Sequence, residues 1–187
     1  MAPADPAAPI LVLSGTHRPD SNALKLARLL LAAYRELGRA AELLSLTELP
    51  PEAFLPAVYA AKPAAVVALQ ERVLRAAGLH LVTPEYNGSF PGVLKHFIDL
   101  LKFPESFERK PVAFVGEAAG LWGGLRAVEQ LQMIFGYRNA LMLPERVFIA
   151  QVHKKLDPAG ALLDPEIGQR LRQQVQAFAA FVQRLRD

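Results

Sequence analysis

The chain has 187 residues, a formal net charge of +3 and no cysteine, with 52% hydrophobic and 21% charged residues. This length favours one domain, and the hydrophobic content excludes global disorder. The lack of cysteine excludes a disulfide framework, thiolate metal sites and a thiol nucleophile, and it fits the cytoplasmic location that we expect. The 21 Lys and Arg residues are scattered, which argues against nucleic-acid binding and leaves small anionic ligands open.

The amino-terminal stretch MAPADPAAPI lacks the cationic start and the apolar region of a secretory signal. We interpret residues 1–9 as a flexible leader and residues 10–187 as a single domain. No segment approaches the roughly 20 uninterrupted apolar residues of a membrane span, so membrane insertion is not expected.

Short apolar runs that end in turn-forming residues predict five strands. They cover Ile10–Leu13, Ala40–Leu46, Leu79–Val82, Pro111–Gly116, and a last strand that starts at Ala140–Leu143 and is extended by Val147–Ala150. Most of these runs are continuously apolar, as is typical of strands that are covered on both faces. The sequence therefore predicts an α/β fold, a doubly wound parallel sheet with helices on both faces.

Apolar residues at helical spacing predict five helices between and after these strands. The first ends at Gly38, the second begins at Pro63, Ser89 caps the third, the fourth ends near Tyr137, and the last begins at Asp164–Pro165. The side chains expected to face the core are Ala23, Ala27, Leu30, Tyr34 and Leu37 in the first helix, Leu94, Phe97, Ile98 and Leu101 in the third, and Ile167, Leu171, Val175, Phe178, Val182 and Leu185 in the last.

Three unusual loops follow the first, third and fourth strands, with the sequences SGTHRPDSN, TPEYNGSFPG and GEAAGLWGG. In an open parallel sheet, ligands bind beyond the carboxyl ends of the strands, at the point where the strand order reverses. We therefore expect all three loops to lie at one edge and to form the walls of a ligand cleft.

The first loop has the groups that bind an anion. Thr16 and Ser21 offer hydroxyls, Asn22 an amide and Arg18 a planar charged guanidinium, and a helix that begins near Ser21 adds partial positive charge. The alternative is that Ser21 or Asn22 only caps the helix and that Arg18 is a solvated surface residue. The loop lacks both the GK[ST] ending of a Walker A sequence and GxGxxG, which points to the phosphate of a mononucleotide.

The second loop is expected to supply a rigid, flat surface. Pro84 restricts the backbone, Tyr86 can stack or donate a hydrogen bond, and Asn87 and Gly88 permit a tight turn with left-handed backbone angles. Glu85 invites interpretation as a general base, but a carboxylate in a turn is more often solvated or bonded to nearby amides.

Trp122 in the third loop is expected to anchor in the core, the alternative being a lip over the site. The four histidines, His17, His80, His96 and His153, are scattered, and we interpret them as structural or exposed rather than as metal ligands. No Ser-His-Asp set or paired-carboxylate site can be recognised in the sequence, which fits an enzyme whose chemistry is carried by a cofactor.

Together these residues resemble the NADPH-dependent FMN reductase family, a flavodoxin-like group that includes quinone, azo-dye and chromate reductases. PEYNGSFPGVLKHFID is similar to the family pattern PEYNGSxPGxLKNAID, and GTHRPDSN is similar to its GSxRxxS(x)N phosphate loop. GLWGGLRA is similar to the GxxGGxRA segment. The resemblance runs from about Ile10 through Asp187 and implies a flavodoxin-like FMN-binding domain.

The resemblance also implies site residues. The FMN phosphate would be held by Thr16, Arg18, Ser21 and Asn22, and the flavin ring would be lined by Pro84, Glu85, Tyr86, Asn87 and Gly88. Glu117 is a further cofactor-binding candidate, although Glu117 and Ala118 stand where relatives commonly carry small hydroxyl residues. His96-Phe97 replaces the usual Asn-Ala, which is expected to alter helix packing or a subunit contact.

The implied activity passes hydride from NADPH or NADH through FMN to quinone-like or other small acceptors by a ping-pong mechanism, with no catalytic side chain. Relatives are homodimers or homotetramers, so a homo-oligomer is expected. Two alternatives use the same scaffold. One is a one-electron flavin carrier, against which Arg18 and the pI near 9.3 argue, and the other is an interaction protein without flavin.

Overall fold

The computed structural model describes residues 8–185, and residues 1–7 of the predicted leader lie outside the described part, as do residues 186–187. The strands are β1 (Ile10–Ser14), β2 (Ala41–Ser45), β3 (Gly78–Pro84), β4 (Pro111–Glu117) and β5 (Leu141–Ile149). The helices are α1 (Asn22–Glu36), α2 (Ala64–Arg75), α3 (Gly92–Leu100), α4 (Leu125–Tyr137) and α5 (Pro165–Arg184). The predicted alternation of five strands with five helices is therefore confirmed.

The five strands form one parallel sheet in the order β2-β1-β3-β4-β5. After β1 the chain adds β2 at one edge, and it then returns to the other side of β1 and adds β3, β4 and β5 in succession. The strand order thus reverses between β1 and β3. This arrangement confirms the predicted flavodoxin-like, doubly wound fold.

Two apolar cores lie on opposite faces of the sheet. Successive residues of a strand point to opposite faces, so Leu11 packs in the core with α2, α3 and α4, while Val12 packs in the core with α1 and α5. Both residues are fully buried. Burial on both faces explains why Ile10–Leu13 of β1 is a continuous apolar run rather than an alternating one.

Three predictions about helix ends are wrong. Leu37 and Leu185 directly follow the last residues of α1 and α5, and each is 40% exposed, because the core-facing stripe of each helix stops one turn earlier. Ser89 does not cap α3, which begins after Pro91 without a side-chain cap. The Ser89 hydroxyl instead donates a 2.6 Å hydrogen bond to Oε1 of Gln130.

His80 is a structural residue of the core between the sheet and helices α1 and α5. Its Nδ1 lies 2.7 Å from the Tyr34 hydroxyl, and its Nε2 lies 3.2 Å from Oε1 of Gln174. Complete burial lowers the pKa of His80 to about 4, so the ring stays neutral at physiological pH. The interpretation of this histidine as structural is confirmed.

The His96-Phe97 pair is used in packing. Phe97 is fully buried among the residues of one core. His96 donates a 2.7 Å hydrogen bond from Nε2 to the carbonyl of Ala53, and its ring stacks on Phe54. This departure from the family pattern therefore fixes α3 against the segment that follows β2.

Gly124 marks a close approach between the carboxyl end of β4 and the amino end of α4. Its φ is +89°, and a Cβ atom added there would lie 2.5 Å from the backbone nitrogen of Glu117. That distance is far inside van der Waals contact, and the facing atom belongs to rigid backbone. Only glycine lets α4 begin this close to the end of β4.

We expect Gly124→Ala to lower the free energy of unfolding by about 2 kcal/mol or more, because both the left-handed backbone and the contact with Glu117 become unfavourable. Urea denaturation would measure the change. Gly120→Ala, in the same loop, is the matched control, since a Cβ at Gly120 meets nothing within 4 Å. Equal stability of the two variants would contradict this account of the loop.

Candidate cofactor-binding site

A cavity of about 500 Å³ lies at the carboxyl ends of the strands, where the strand order reverses. Its wall is formed by four segments of chain, namely residues 18–22, 84–86, 117–119 and 152–153. The volume is within the range of roughly 300–1,000 Å³ that is usual for small-molecule sites. The predicted convergence of the three loops is confirmed, and the fourth segment is an addition.

The loop after β1 brings Arg18, Ser21 and Asn22 to the cavity wall. Ser21 caps α1, because its Oγ accepts a 3.1 Å hydrogen bond from the amide of Leu24. Arg18 is exposed and carries its charge at the same end of the cavity. The amino end of a 15-residue helix and a guanidinium therefore face one space, which is the arrangement that favours an anion.

Thr16 lies behind this loop rather than on the cavity wall. The residue is 1% exposed, and its Oγ1 accepts a 3.2 Å hydrogen bond from the amide of Arg18. The same hydroxyl lies 3.3 Å from the hydroxyl of Tyr86. Thr16 thus links the loop after β1 to the loop after β3 and fixes the backbone that carries Arg18.

The loop after β3 contains the tight turn predicted from the sequence. Asn87 and Gly88 have φ angles of +53° and +76°, and Tyr86 and Ser89 exchange backbone hydrogen bonds across them. Gln130 of α4 donates a 3.1 Å hydrogen bond to the carbonyl of Gly88, which holds the turn against the helix. Asn87 and Gly88 do not line the cavity, whereas Pro84, Glu85 and Tyr86 do.

Glu85 is held by the amino end of α4. Its Oε2 accepts a 3.1 Å hydrogen bond from the amide of Arg126, in the first turn of that helix. Its own amide donates to the carbonyl of Glu117 at 2.9 Å. The interpretation of Glu85 as a carboxylate bonded to nearby amides is confirmed, and it joins three elements of the site.

Glu117 lies at the end of β4 with its carboxyl group inside the cavity, and it is only 6% exposed. The carboxyl group lies near the amide of Ala23, in the first turn of α1. Burial raises the pKa of Glu117 to about 7, although this amide and the nearby Arg18 both favour the charged form. An acid that is half protonated near neutral pH therefore lies near Arg18 in the cavity.

The segment after β5 was not predicted as part of the site. The amide of Val152 donates a 3.0 Å hydrogen bond to the carbonyl of Ala118, and this contact brings Val152 and His153 to the cavity. The other missed wall residues, Pro19, Asp20, Ala118 and Ala119, adjoin predicted ones. The expectation that Trp122 is a core anchor is wrong, since its side chain is 65% exposed.

The residues present fit a mononucleotide cofactor. Arg18 and the amino end of α1 suit a phosphate, and Pro84 and Tyr86 offer flat surfaces for a ring system. Within residues 8–185, no group of three or more His, Asp or Glu side chains is placed to hold a metal ion.

A model of the family described as NADPH-dependent FMN reductase matches residues 8–154. The chain belongs to this family. Over 128 residues it is 38% identical to an NAD(P)H-dependent FMN reductase of Pseudomonas aeruginosa, covering 66% of this chain and 69% of the relative. It is 37% identical, again over 128 residues, to a quinone reductase of Escherichia coli K12, covering 66% and 68%.

Solved structures agree on the fold. A flavoenzyme NAD(P)H:acceptor oxidoreductase of Paracoccus denitrificans superposes with a TM-score of 0.76 at 24% identity, covering 95% of this chain and 98% of the other. The apo form of an NADH:FMN oxidoreductase gives a TM-score of 0.75 at 21% identity, with coverages of 93% and 89%.

This member of the FMN reductase family is therefore an oxidoreductase that uses FMN and NAD(P)H. Within the described residues, none of the helices is both long and apolar enough to cross a membrane.

The raised pKa of Glu117 predicts that stability falls as pH rises. Between the ordinary value of 4.5 and about 7, the folded protein keeps a proton that the unfolded chain has released. The free energy of unfolding of the FMN-free protein should therefore fall by up to about 3 kcal/mol across this window, and Glu117→Gln should remove that component.

Urea denaturation of both proteins at a series of pH values would measure the difference. Glu129→Gln is the matched control, because Glu129 is exposed on α4 and lies away from the cavity. Parallel stability profiles for the wild type and Glu117→Gln would show that the Glu117 carboxyl does not titrate differently in the folded protein.

Proposed function

We propose that this reductase binds FMN in the cavity with its phosphate at the amino end of α1, and that it reduces quinone-like and other small acceptors by a ping-pong mechanism. The observation that carries the proposal is the composition of one cavity wall. Arg18 and the first turn of α1 lie at one end, and Pro84 and Tyr86 lie in the loop that faces them.

The phosphate is held by Arg18, Ser21 and Asn22. Arg18 supplies a charge-assisted contact with two parallel N–H donors. Ser21 accepts a hydrogen bond from Leu24, so its own O–H remains able to donate to a phosphate oxygen. Thr16 contributes as a positioning residue, because it holds the Arg18 amide and the Tyr86 hydroxyl rather than the ligand.

The ring system lies against the loop after β3. The two bonds of Gln130, to Ser89 and to Gly88, hold this loop on α4, so Pro84 and Tyr86 form a preorganised surface. Glu85 positions the same loop through Arg126 and is not assigned a proton-transfer role. Asn87 and Gly88 shape the turn, and we propose that they reach the outer edge of the ring.

Bound FMN supplies the redox chemistry by taking hydride from NAD(P)H and passing it to the acceptor. The protein's part is to leave one face of the cavity open for both substrates in turn. Tyr86 is 39% exposed, so the surface beyond it is accessible from solvent. An open face of this kind selects acceptors by size and flatness rather than by dedicated contacts.

Arg18→Ala should weaken FMN binding by roughly 1.5–3 kcal/mol, the usual loss for a hydrogen bond to a charged group. That loss corresponds to about a 10- to 150-fold higher Kd. Quenching of FMN fluorescence would measure it, with Arg28→Ala on the exposed side of α1 as the matched control. An unchanged Kd in Arg18→Ala would remove Arg18 from the site.

Alternate use of one face predicts ping-pong kinetics. With FMN bound, initial rates measured at several fixed quinone concentrations should give parallel double-reciprocal plots against NAD(P)H. Each substrate should also inhibit competitively against the other at high concentration, because both need the same space. Intersecting plots would instead indicate a ternary complex and a separate place for each substrate.

The one-electron carrier and the flavin-less interaction protein are not supported, because the relatives named above are reductases.

We also propose a cytoplasmic homodimer or homotetramer. Large apolar side chains lie exposed on the third loop and on α4, which gives subunits surface to share; they include Leu121, Trp122, Met133 and Tyr137.

A further inference from the structure

The amino end of α1 already has an acidic side chain of the protein beside it. Of the amides in the first turn, that of Leu24 donates to the Ser21 hydroxyl, and that of Ala23 lies near the Glu117 carboxyl group. Glu117 reaches this position from β4, on the far side of β3 from the strand that leads into α1. Glu117 therefore lines the same cavity as Arg18, Ser21 and Asn22, the residues proposed to hold the phosphate.

We propose that the Glu117 carboxylate competes with the phosphate of the cofactor for the amino end of α1, and that it thereby sets how tightly the cavity holds FMN as the pH changes. The inference rests on the proposed function only for the location of the phosphate. It assigns Glu117 a role in cofactor affinity and in discrimination between a phosphorylated and an unphosphorylated flavin.

The charges around Glu117 make this competition strong. The segment after β1 presents Arg18 and Asp20, the loop after β3 presents Glu85 and Tyr86, and the segment after β5 presents His153. Along the described cavity wall, Arg18 is the one permanent cation. An ionised Glu117 and a phosphate dianion would share that cation and one helix end, and two neighbouring anions disfavour each other's charged form.

Protonation of Glu117 removes the conflict. The neutral carboxyl group no longer repels the phosphate and no longer needs Arg18. Because the pKa of Glu117 is raised to about 7, the group is mostly protonated in mildly acidic solution and mostly ionised in mildly alkaline solution. Above that pKa, FMN binding must take up one proton, or the carboxylate must leave α1.

A flavin without a phosphate separates this effect from ring binding. Riboflavin presents the same ring system but no anion, so it should bind without proton uptake. The ratio of the riboflavin and FMN dissociation constants therefore measures only what the phosphate contributes to binding. The second ionisation of the phosphate near pH 6 contributes equally in wild type and in a Glu117 variant.

The test is to measure Kd for FMN and for riboflavin by fluorescence quenching from about pH 6 to about pH 8.5, in wild type, Glu117→Gln and Glu129→Gln. We expect the FMN Kd of wild type to rise relative to that of Glu117→Gln, approaching tenfold per pH unit above about 7. Riboflavin should show no such divergence, and Glu129→Gln should follow wild type.

Calorimetry supplies a readout that needs no variant. Titration of wild type with FMN in buffers of different ionisation enthalpy should show proton uptake that grows above about pH 7, toward one proton per FMN bound. Riboflavin should take up none. This measurement keeps the inference testable even where Glu117→Gln fails to fold.

The possible failures are distinguishable. FMN binding with parallel pH profiles in wild type and Glu117→Gln, and with no phosphate-dependent proton uptake, would overturn the role of Glu117 and leave the proposed function intact. An absence of binding by either flavin in any of the three proteins would overturn both. If the riboflavin Kd also differed between wild type and Glu117→Gln as the pH rises, Glu117 would act on the ring and not on the phosphate. That result would also overturn the inference.

Discussion

The site exists because β1 and β3 are neighbours whose connections leave in opposite directions. The chain after β1 turns toward β2 and the chain after β3 turns toward β4, so neither connection covers the carboxyl ends of the central strands. The crevice that results is bounded on one side by the amino end of α1 and on the other by the turn after β3. Close packing of Gly124 against the end of β4 then brings α4 near enough for Glu85 and Gln130 to fix that turn.

Much of the fold follows from local patterns in the sequence. A buried parallel strand must be apolar on both faces, and a helix packed on a sheet must repeat its apolar residues every three to four positions, so both signals are strong here. The loop positions follow from strand direction alone, because all carboxyl ends of a parallel sheet lie at one edge. The exposed helix ends at Leu37 and Leu185 were mispredicted because the apolar spacing continues past Tyr34 and Val182, the last buried residues of the two helices.

The parts of the site that could not be predicted from the sequence depend on contacts between distant segments. Ser89 has the composition of a helix cap, but its partner, Gln130, lies 41 positions away. Val152 and His153 reach the cavity through one backbone hydrogen bond to Ala118, and no motif marks that contact. Glu117 was predicted in the loop after the fourth strand, but it is the last residue of β4, paired with Pro84 of β3, and it lines the cavity from there.

The charge of the cavity shows why these contacts matter for function. Arg18 faces three carboxylates, Asp20, Glu85 and Glu117, so counting formal charges would make the wall unsuitable for a phosphate. The surroundings of two of those carboxylates reduce the negative charge that they present to the cavity. Glu85 directs its charge to the amino end of α4, and burial keeps Glu117 partly protonated near neutral pH. If Glu117 has the proposed role, affinity for an anionic cofactor depends on which helix ends are already occupied and on one proton, rather than on the small positive net charge of the chain.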